Sequence, residues 1–355
     1  MKRYLVLEDG FTLEGDSLGA PTIAAGQLVI SNNLYGLEQT ITDATYNGQI
    51  IAMTAPAIGA SGIDPNEYEA INPTCKGIIF NSVALTSDNE HNQSLDDFLV
   101  SKDIPAITNI DVRALALHIQ EFGQLKASIS DTDDEHAIDQ IKALVIQRDL
   151  VKQVSTRQPY PNPNSGKKIV IIDLGMKYSI LRQLSYRDCN SIVVPYNYSV
   201  KEIEELNPDG IIISNGPGDP VNLGDTIETV QELQDKFPIF GIGLGHLVIA
   251  LANNCQTIKM TLGHHSTSYP VKEIASGKIE YTNHNHIYAI SDRGIKDAHF
   301  IVTHICPTDG TIEGIRHMYK PTISVQFDPE AAPGAQDMTY LFDEFLDMIS
   351  SYERI

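Results

Sequence analysis

The chain is short of cysteine, of basic residues and of long apolar runs, and each shortage excludes something. Four cysteines, Cys75, Cys189, Cys255 and Cys306, are scattered over 355 residues with no CxxC pair. That pattern builds no disulfide framework. Free, buried thiols in a reducing cytoplasm are the expectation. Lys and Arg number 25 against 46 Asp and Glu, a formal net charge of -21. Such a surface repels phosphates and anionic lipid, so neither nucleic acid nor a membrane is an expected partner. The negative charge is dispersed, with only short clusters such as 131–135, so no acidic tail is indicated. No stretch approaches the ~18 apolar residues of a membrane span. The basic start, Lys2 and Arg3, leads into a short apolar run and then Glu8 and Asp9, which does not make a signal peptide.

What is present is an ordinary globular balance, 42% hydrophobic and 20% charged, at a length that fits two domains. The first, 1–152, opens with strand-like runs at 4–7, 11–14, 27–31, 49–54 and 77–80, punctuated by Gly, Asp and Asn. Helical patterns follow at 95–100, capped by Ser94, at 112–120 and at about 135–148. This reads as a strand-rich α+β domain without a catalytic motif. Three prolines with Asn, Ser and Gly in 155–168 disfavour a regular element, so 153–167 is the expected linker. No internal repeat is visible.

From Lys168 the pattern changes. Short continuous apolar runs at 167–173, 191–197, 210–216 and 238–243 alternate with helical segments at about 177–188, 200–206 and 226–236. Strands buried on both faces and alternating with helices predict a doubly wound, mostly parallel α/β sheet over 168–355. Its chemistry should gather at the carboxyl ends of the strands. There the run 238–243 meets Gly241-Ile242-Gly243-Leu244-Gly245-His246 and a helix. Outer glycines permit a tight strand-to-helix turn, and the central position is that of a nucleophile elbow. Here that position is Gly243, which has no side chain to attack with. A dinucleotide fingerprint is excluded by His246 where its third glycine belongs.

Those residues carry a resemblance. Ser214-Asn215-Gly216-Pro217-Gly218-Asp219-Pro220, the elbow, Gly263-His264-His265, Asn285-His286 and the stretch 324–330 are similar to class I glutamine amidotransferases. With Ile110-Asp111-Val112-Arg113 and the stretch 330–334, the whole chain resembles the carbamoyl phosphate synthase small-chain family. In that family a cysteine attacks the glutamine amide, a histidine moves protons and a glutamate orients the histidine. Ammonia then passes to a large chain that holds ATP and magnesium, so this chain itself is expected to hold no cofactor. The resemblance implies a hetero-oligomer with that large chain, serving arginine or pyrimidine synthesis.

Carried over residue by residue, the match is partial. Glu330 is retained. Asp328 stands at the histidine position and Gly243 at the cysteine position. In the glutamine pocket Gly216, Gly218, Leu244 and Asn285 remain. Leu247 replaces a glutamine, Ile287 and Tyr288 replace a Gly-Phe pair, and Thr45 stands where the N-terminal domain has a serine. The resemblance therefore implies lost glutamine hydrolysis and an ammonia-dependent or regulatory role. A small-molecule sensor on the same scaffold and a residual glutaminase are the alternatives. His246, His264, His265, His284 and His286 cluster near the site, but no HxxxH or carboxylate spacing supports a metal, and none is expected. Cys255 is expected to lie beyond the elbow helix and to pack in the core. Apolar spacing in 339–352 predicts a helix packed on the sheet.

Overall fold

A computed structural model describes residues 1–56, 58–60, 62–84, 93–132, 135–145 and 147–352. They form two compact units, Met1–Gln147 and Arg148–Ile355.

In the first unit, strands β1 (Lys2–Leu7), β2 (Thr12–Gly19), β3 (Ala24–Ser31), β4 (Gln49–Met53), β5 (Gly77–Phe80), β6 (Pro105–Thr108) and β7 (Lys126–Ser130) close into a barrel of order β1-β2-β6-β5-β4-β3-β7. Alternation along the strands divides their side chains between two cores. Leu28, Ile50, Ala52 and Ile79 pack with Leu5 and Ile107. Val29, Ile51, Met53, Ile78 and Phe80 pack with Phe98 and Leu99 of the helix Leu95–Ser101. Ser94 caps that helix, its Oγ accepting the Asp97 N–H at 3.1 Å. The helix Val112–Phe122 lies where its apolar spacing placed it. The third helical pattern gives Glu135–Ala143. Residue 146, within the expected 135–148, lies outside the described residues. Closure into a barrel, with β3, β4, β5 and β6 parallel, is the departure from the sequence reading.

The second unit is built on strands β8 (Tyr160–Asn162), β9 (Lys168–Asp173), β10 (Asn190–Pro195), β11 (Gly210–Ile213), β12 (Ile239–Ile242), β13 (Thr257–Glu273), β14 (Ile279–Ile290), β15 (Phe300–Ile305), β16 (Ile312–His317) and β17 (Thr322–Val325). Their order is β14-β13-β15-β16-β17-β12-β11-β9-β10-β8. The parallel core β10-β9-β11-β12-β17 is extended by antiparallel strands at both edges. Its β strands are buried on both faces: Ile169, Ile171 and Ile212 join one core, Val170, Ile172 and Ile213 the other. The helices Tyr178–Tyr186 and Tyr340–Tyr352 cover the first face, where Phe240 meets Phe342 and Phe345 with ring centroids 5.7 Å apart. The helices Gly224–Leu233 and Leu244–Ala252 cover the other.

The stretch 155–168, expected to be irregular, supplies β8. Pro161 is tolerated because β8 is an edge strand, where a missing N–H breaks no ladder. The long β13–β14 hairpin, rich in Thr, Ser and His rather than apolar runs, escaped the sequence reading.

Candidate functional site

The carboxyl ends of β9, β11, β12 and β17 converge, and the loops that follow them are stitched together by backbone needs. After β9, Asp173 Oδ1 accepts the N–H groups of Gly175 and Met176 at 2.9 and 2.8 Å, which bends the chain toward Lys177. After β11, Ser214 Oγ accepts the Leu174 N–H at 2.9 Å and donates to the Asn215 carbonyl at 2.8 Å. Gly216 follows under a hard constraint. A Cβ there would stand 2.1 Å from the Leu174 carbonyl oxygen.

After β12 comes the elbow. Gly243 has φ 56° and ψ -110°, a conformation that side chains rarely adopt, and heads the helix Leu244–Ala252. Its N–H donates to the Val325 carbonyl at 2.9 Å. Gly245 lets that helix approach β11, because a Cβ would stand 2.2 Å from the Ile213 carbonyl oxygen. The elbow geometry is thus complete, and its tip carries a hydrogen in place of a nucleophile.

After β17 a tight turn, closed by the Ala331 N–H to the Asp328 carbonyl at 3.3 Å, presents Asp328 and Glu330. Both are held by Lys177, whose side chain is 0% exposed. Its ammonium stands 2.9 Å from Asp328 Oδ2 and 3.2 Å from Glu330 Oε1. Asn283 Nδ2 donates to the same Asp328 oxygen at 2.6 Å. The Lys177 N–H donates to Asn215 Oδ1 at 3.3 Å, and a Cβ at Gly243 would lie 3.1 Å from Asn215 Cβ. Gly243, Asp328 and Glu330 therefore meet around Asn215 and Lys177. Neither Lys177 nor Asn283 was singled out from sequence. The signal was available for Lys177, a cation four residues beyond the first parallel strand, where such sheets place chemistry.

The other expected positions of the second unit lie on the elbow helix, on β14 and in the loop after β11. Leu244 and Leu247 are 5% and 2% exposed and pack in the hydrophobic core on the helix-covered face. Asn285 Oδ1 accepts from His265 Nδ1 at 2.7 Å. Burial holds His265 down at about 4, so it is neutral at pH 7. Tyr288 reaches the loop after β11, and burial with the nearby Asp219 carboxylate pushes its phenol up to about 12. Ile287 lies against Gly263, where a Cβ would meet its Cγ2 at 2.7 Å. Gly218 has φ 97° and packs against Leu150. Thr45 belongs to the first unit, in the 3-10 turn Ala44–Tyr46, where its N–H donates to Asp43 Oδ1 at 2.8 Å.

His246, fully buried on the elbow helix, bonds Ser324 Oγ through Nδ1 at 2.8 Å, and burial pushes it down to about 3. His264, His284 and His286 gather beside Glu313 on β13, β14 and β16. Helical HxxxH spacing does not reveal this grouping, because its members come from neighbouring strands. All four cysteines are buried and free.

Residues 170–348 match the model of the family Glutamine amidotransferase class-I, and residues 5–129 that of Carbamoyl-phosphate synthase small chain, CPSase domain. The chain is 45% identical over 356 residues to the carbamoyl phosphate synthase small chain of Lactococcus lactis subsp. cremoris (strain MG1363), with 99% of each covered. It is 46% identical over 355 residues to that of Streptococcus mutans serotype c, covering 99% of this chain and 98% of the other. Among solved structures, a glutamine amidotransferase from Thermotoga maritima aligns with 53% of this chain and 86% of its own, at 13% identity and a TM-score of 0.38.

Proposed function

The chain belongs to the carbamoyl-phosphate synthase small-chain family, and from that premise we propose that it is a small subunit without glutaminase activity, which supports a partner large chain supplied with free ammonia. The observation that carries this is the elbow tip. Glutamine hydrolysis through a thioester needs a thiolate at that point, and Gly243 has none. Removing the nucleophile of such a constellation costs on the order of 10⁶ in kcat. The proton shuttle is absent as well. Asp328 Oδ2 is already engaged by Lys177 and Asn283, and an acceptor carboxylate cannot serve both the acid and the base steps as an imidazole does.

No other cysteine replaces the missing one. Burial pushes the Cys189 and Cys255 thiols up to about 11 and the Cys75 thiol up to about 12. Cys306 is raised by the same cause. At neutral pH these are thiols, and Cys255 packs in the core. The ATP and magnesium of the synthase reaction belong on the large chain under this reading. What remains for the small chain is its partner and its regulation.

The test is to co-express the chain with a carbamoyl phosphate synthase large chain from the same genome and assay the purified complex with glutamine or ammonium as nitrogen donor. Ammonium should drive carbamoyl phosphate formation, and glutamine should give only the background of the large chain alone. Glutamine-driven synthesis with matching glutamate release, abolished by Glu330→Gln, would overturn the proposal. Failure to bind any large chain would favour free-standing small-molecule binding instead.

A further inference from the structure

We propose that His264, His284, His286 and Glu313 form a structural zinc site in the second unit. One ligand atom from each lies within 4.8 Å of all the others, and all four side chains are buried. The register builds the cluster. His264 on β13 lies opposite His286 on β14, His284 shares a strand face with His286, and β16 brings Glu313 beneath them.

The distances fit. His284 Nδ1 is 3.1 Å from His286 Nε2 and 3.7 Å from Glu313 Oε2. His286 Nε2 is 3.9 Å from that same oxygen, whereas His264 Nδ1 is 3.5 Å from the other carboxylate oxygen, Oε1; taken one per residue, the ligand atoms span no more than 4.8 Å. Four ligands at zinc bond lengths of about 2.1 Å in a tetrahedron stand roughly 3.4 Å apart.

The hydrogen bonds turn lone pairs toward one point. His286 Nδ1 faces the Tyr288 carbonyl at 3.0 Å, which only accepts, so Nδ1 carries the proton and Nε2 the lone pair. His264 Nε2 faces the Asp309 carboxylate at 2.8 Å, so in the neutral imidazole the proton sits there and the Nδ1 lone pair faces Glu313. Thr282 Oγ1 donates to the Tyr269 carbonyl at 3.4 Å, so it accepts from His284 Nε2 at 2.6 Å and leaves Nδ1 unprotonated. Thr311 Oγ1 donates to Glu313 Oε1 at 2.8 Å, while Glu313 Oε2 and His264 Nδ1 receive no hydrogen bond among the described residues. Three imine nitrogens and a carboxylate that converge in a dry site repel one another unless a cation sits among them. Each imidazole is also oriented by a carbonyl, a carboxylate or a hydroxyl on its far nitrogen, as metal-bound histidines are.

Three histidines and one carboxylate suit zinc better than magnesium or calcium, which prefer oxygen. Four protein ligands leave no open position, which marks a structural site rather than a catalytic one. A rival grouping of His264, Cys306 and Asp309 is weaker, because Asp309 Oδ1 already accepts from the Thr311 N–H at 3.0 Å and its side chain is 41% exposed.

The experiment is metal analysis of the full chain, purified without chelator, by plasma mass spectrometry, alongside thermal melts. About one zinc per chain is expected. Chelator-stripped protein should regain the metal, and its Tm should rise by roughly 5–10 °C in zinc at a hundredfold excess over Kd, with no response to magnesium. Cobalt should give the intense visible bands of a tetrahedral ion. His284→Gln and Glu313→Gln should lose the metal. If those variants fail to fold, the cobalt spectrum of the unaltered chain decides. Metal well below stoichiometry after zinc incubation, with no Tm response and no tetrahedral cobalt spectrum, means the cluster holds only a proton and overturns the proposal.

Discussion

Lys177→Met should destabilise the second unit more than any other single change among the residues gathered at Gly243, Asp328 and Glu330. The ammonium has no exposure to water and faces two carboxylates, one 7% and the other 0% exposed. Removing one partner of a buried ion pair costs about 3–5 kcal/mol, because the remaining charge is left without compensation. Here two carboxylates lose one cation together, so the upper part of that range is expected. For a unit the size of Arg148–Ile355, each kcal/mol moves Tm by about 2–4 °C, which gives a drop of roughly 10–20 °C. Urea titration followed by circular dichroism and calorimetry would measure both quantities. Lys177→Met combined with Asp328→Asn should recover part of the loss, since one cation and one anion leave together. A loss below about 1 kcal/mol, or a double variant no better than the single one, would refute the claim that Lys177 neutralises this pair.

Two further changes test neighbouring parts of the argument. Gly243→Ala should cost about 1–3 kcal/mol, read as a lower melting midpoint, because it places a Cβ at φ 56° and 3.1 Å from Asn215 Cβ; an unchanged or raised midpoint would mean that the elbow is not strained. His246 is held neutral down to about pH 3 in the fold but takes up a proton near pH 6.5 when unfolded. The unfolded state therefore binds more protons between those values, and stability falls as pH drops through that window. His246→Asn should flatten the slope of unfolding free energy between pH 4 and 6, and an unaltered slope would place the acid sensitivity elsewhere.

Much of this was legible in the sequence where one local signal dominates. The parallel strands β9, β10, β11 and β12 were continuous apolar runs, whereas β17 was not read as a strand, and the elbow was spelled by Gly241, Gly243 and Gly245. Helix positions followed from caps and spacing, as at Ser94. What was not legible depends on pairing between distant strands. The barrel is closed by β1 meeting β7, a contact that neither strand's own pattern encodes. The His264–His286 pair exists only through the β13–β14 register, and Glu313 arrives from a third strand. Lys177 became visible as a partner of Asp328 and Glu330 only once residues 151 positions apart were brought within 2.9 Å.

The retained glycines weigh less as evidence of function than the replaced side chains. Gly216 and Gly245 would each push a Cβ to within 2.2 Å of a backbone carbonyl oxygen, so the fold alone demands glycine there whether or not glutamine ever binds. Their presence is compatible with an active site and with an inert one. Gly243 is different, because a Cβ there would meet a side-chain carbon, Asn215 Cβ, at a tight 3.1 Å rather than a backbone carbonyl oxygen, so the cost of a side chain is backbone strain and a small shift rather than a prohibitive clash. Asp328 is different again. A second carboxylate beside Glu330 would be costly in a dry site, and Lys177 with Asn283 makes it tolerable. Gly243 and Asp328, the two positions on which the proposed function turns, are thus also those where the local structure has settled into an arrangement with its own stabilising logic. Under the proposed function, placing only a cysteine at 243 would bring strain and a thiol to a site where Asp328, at the family's histidine position, remains bound to a lysine.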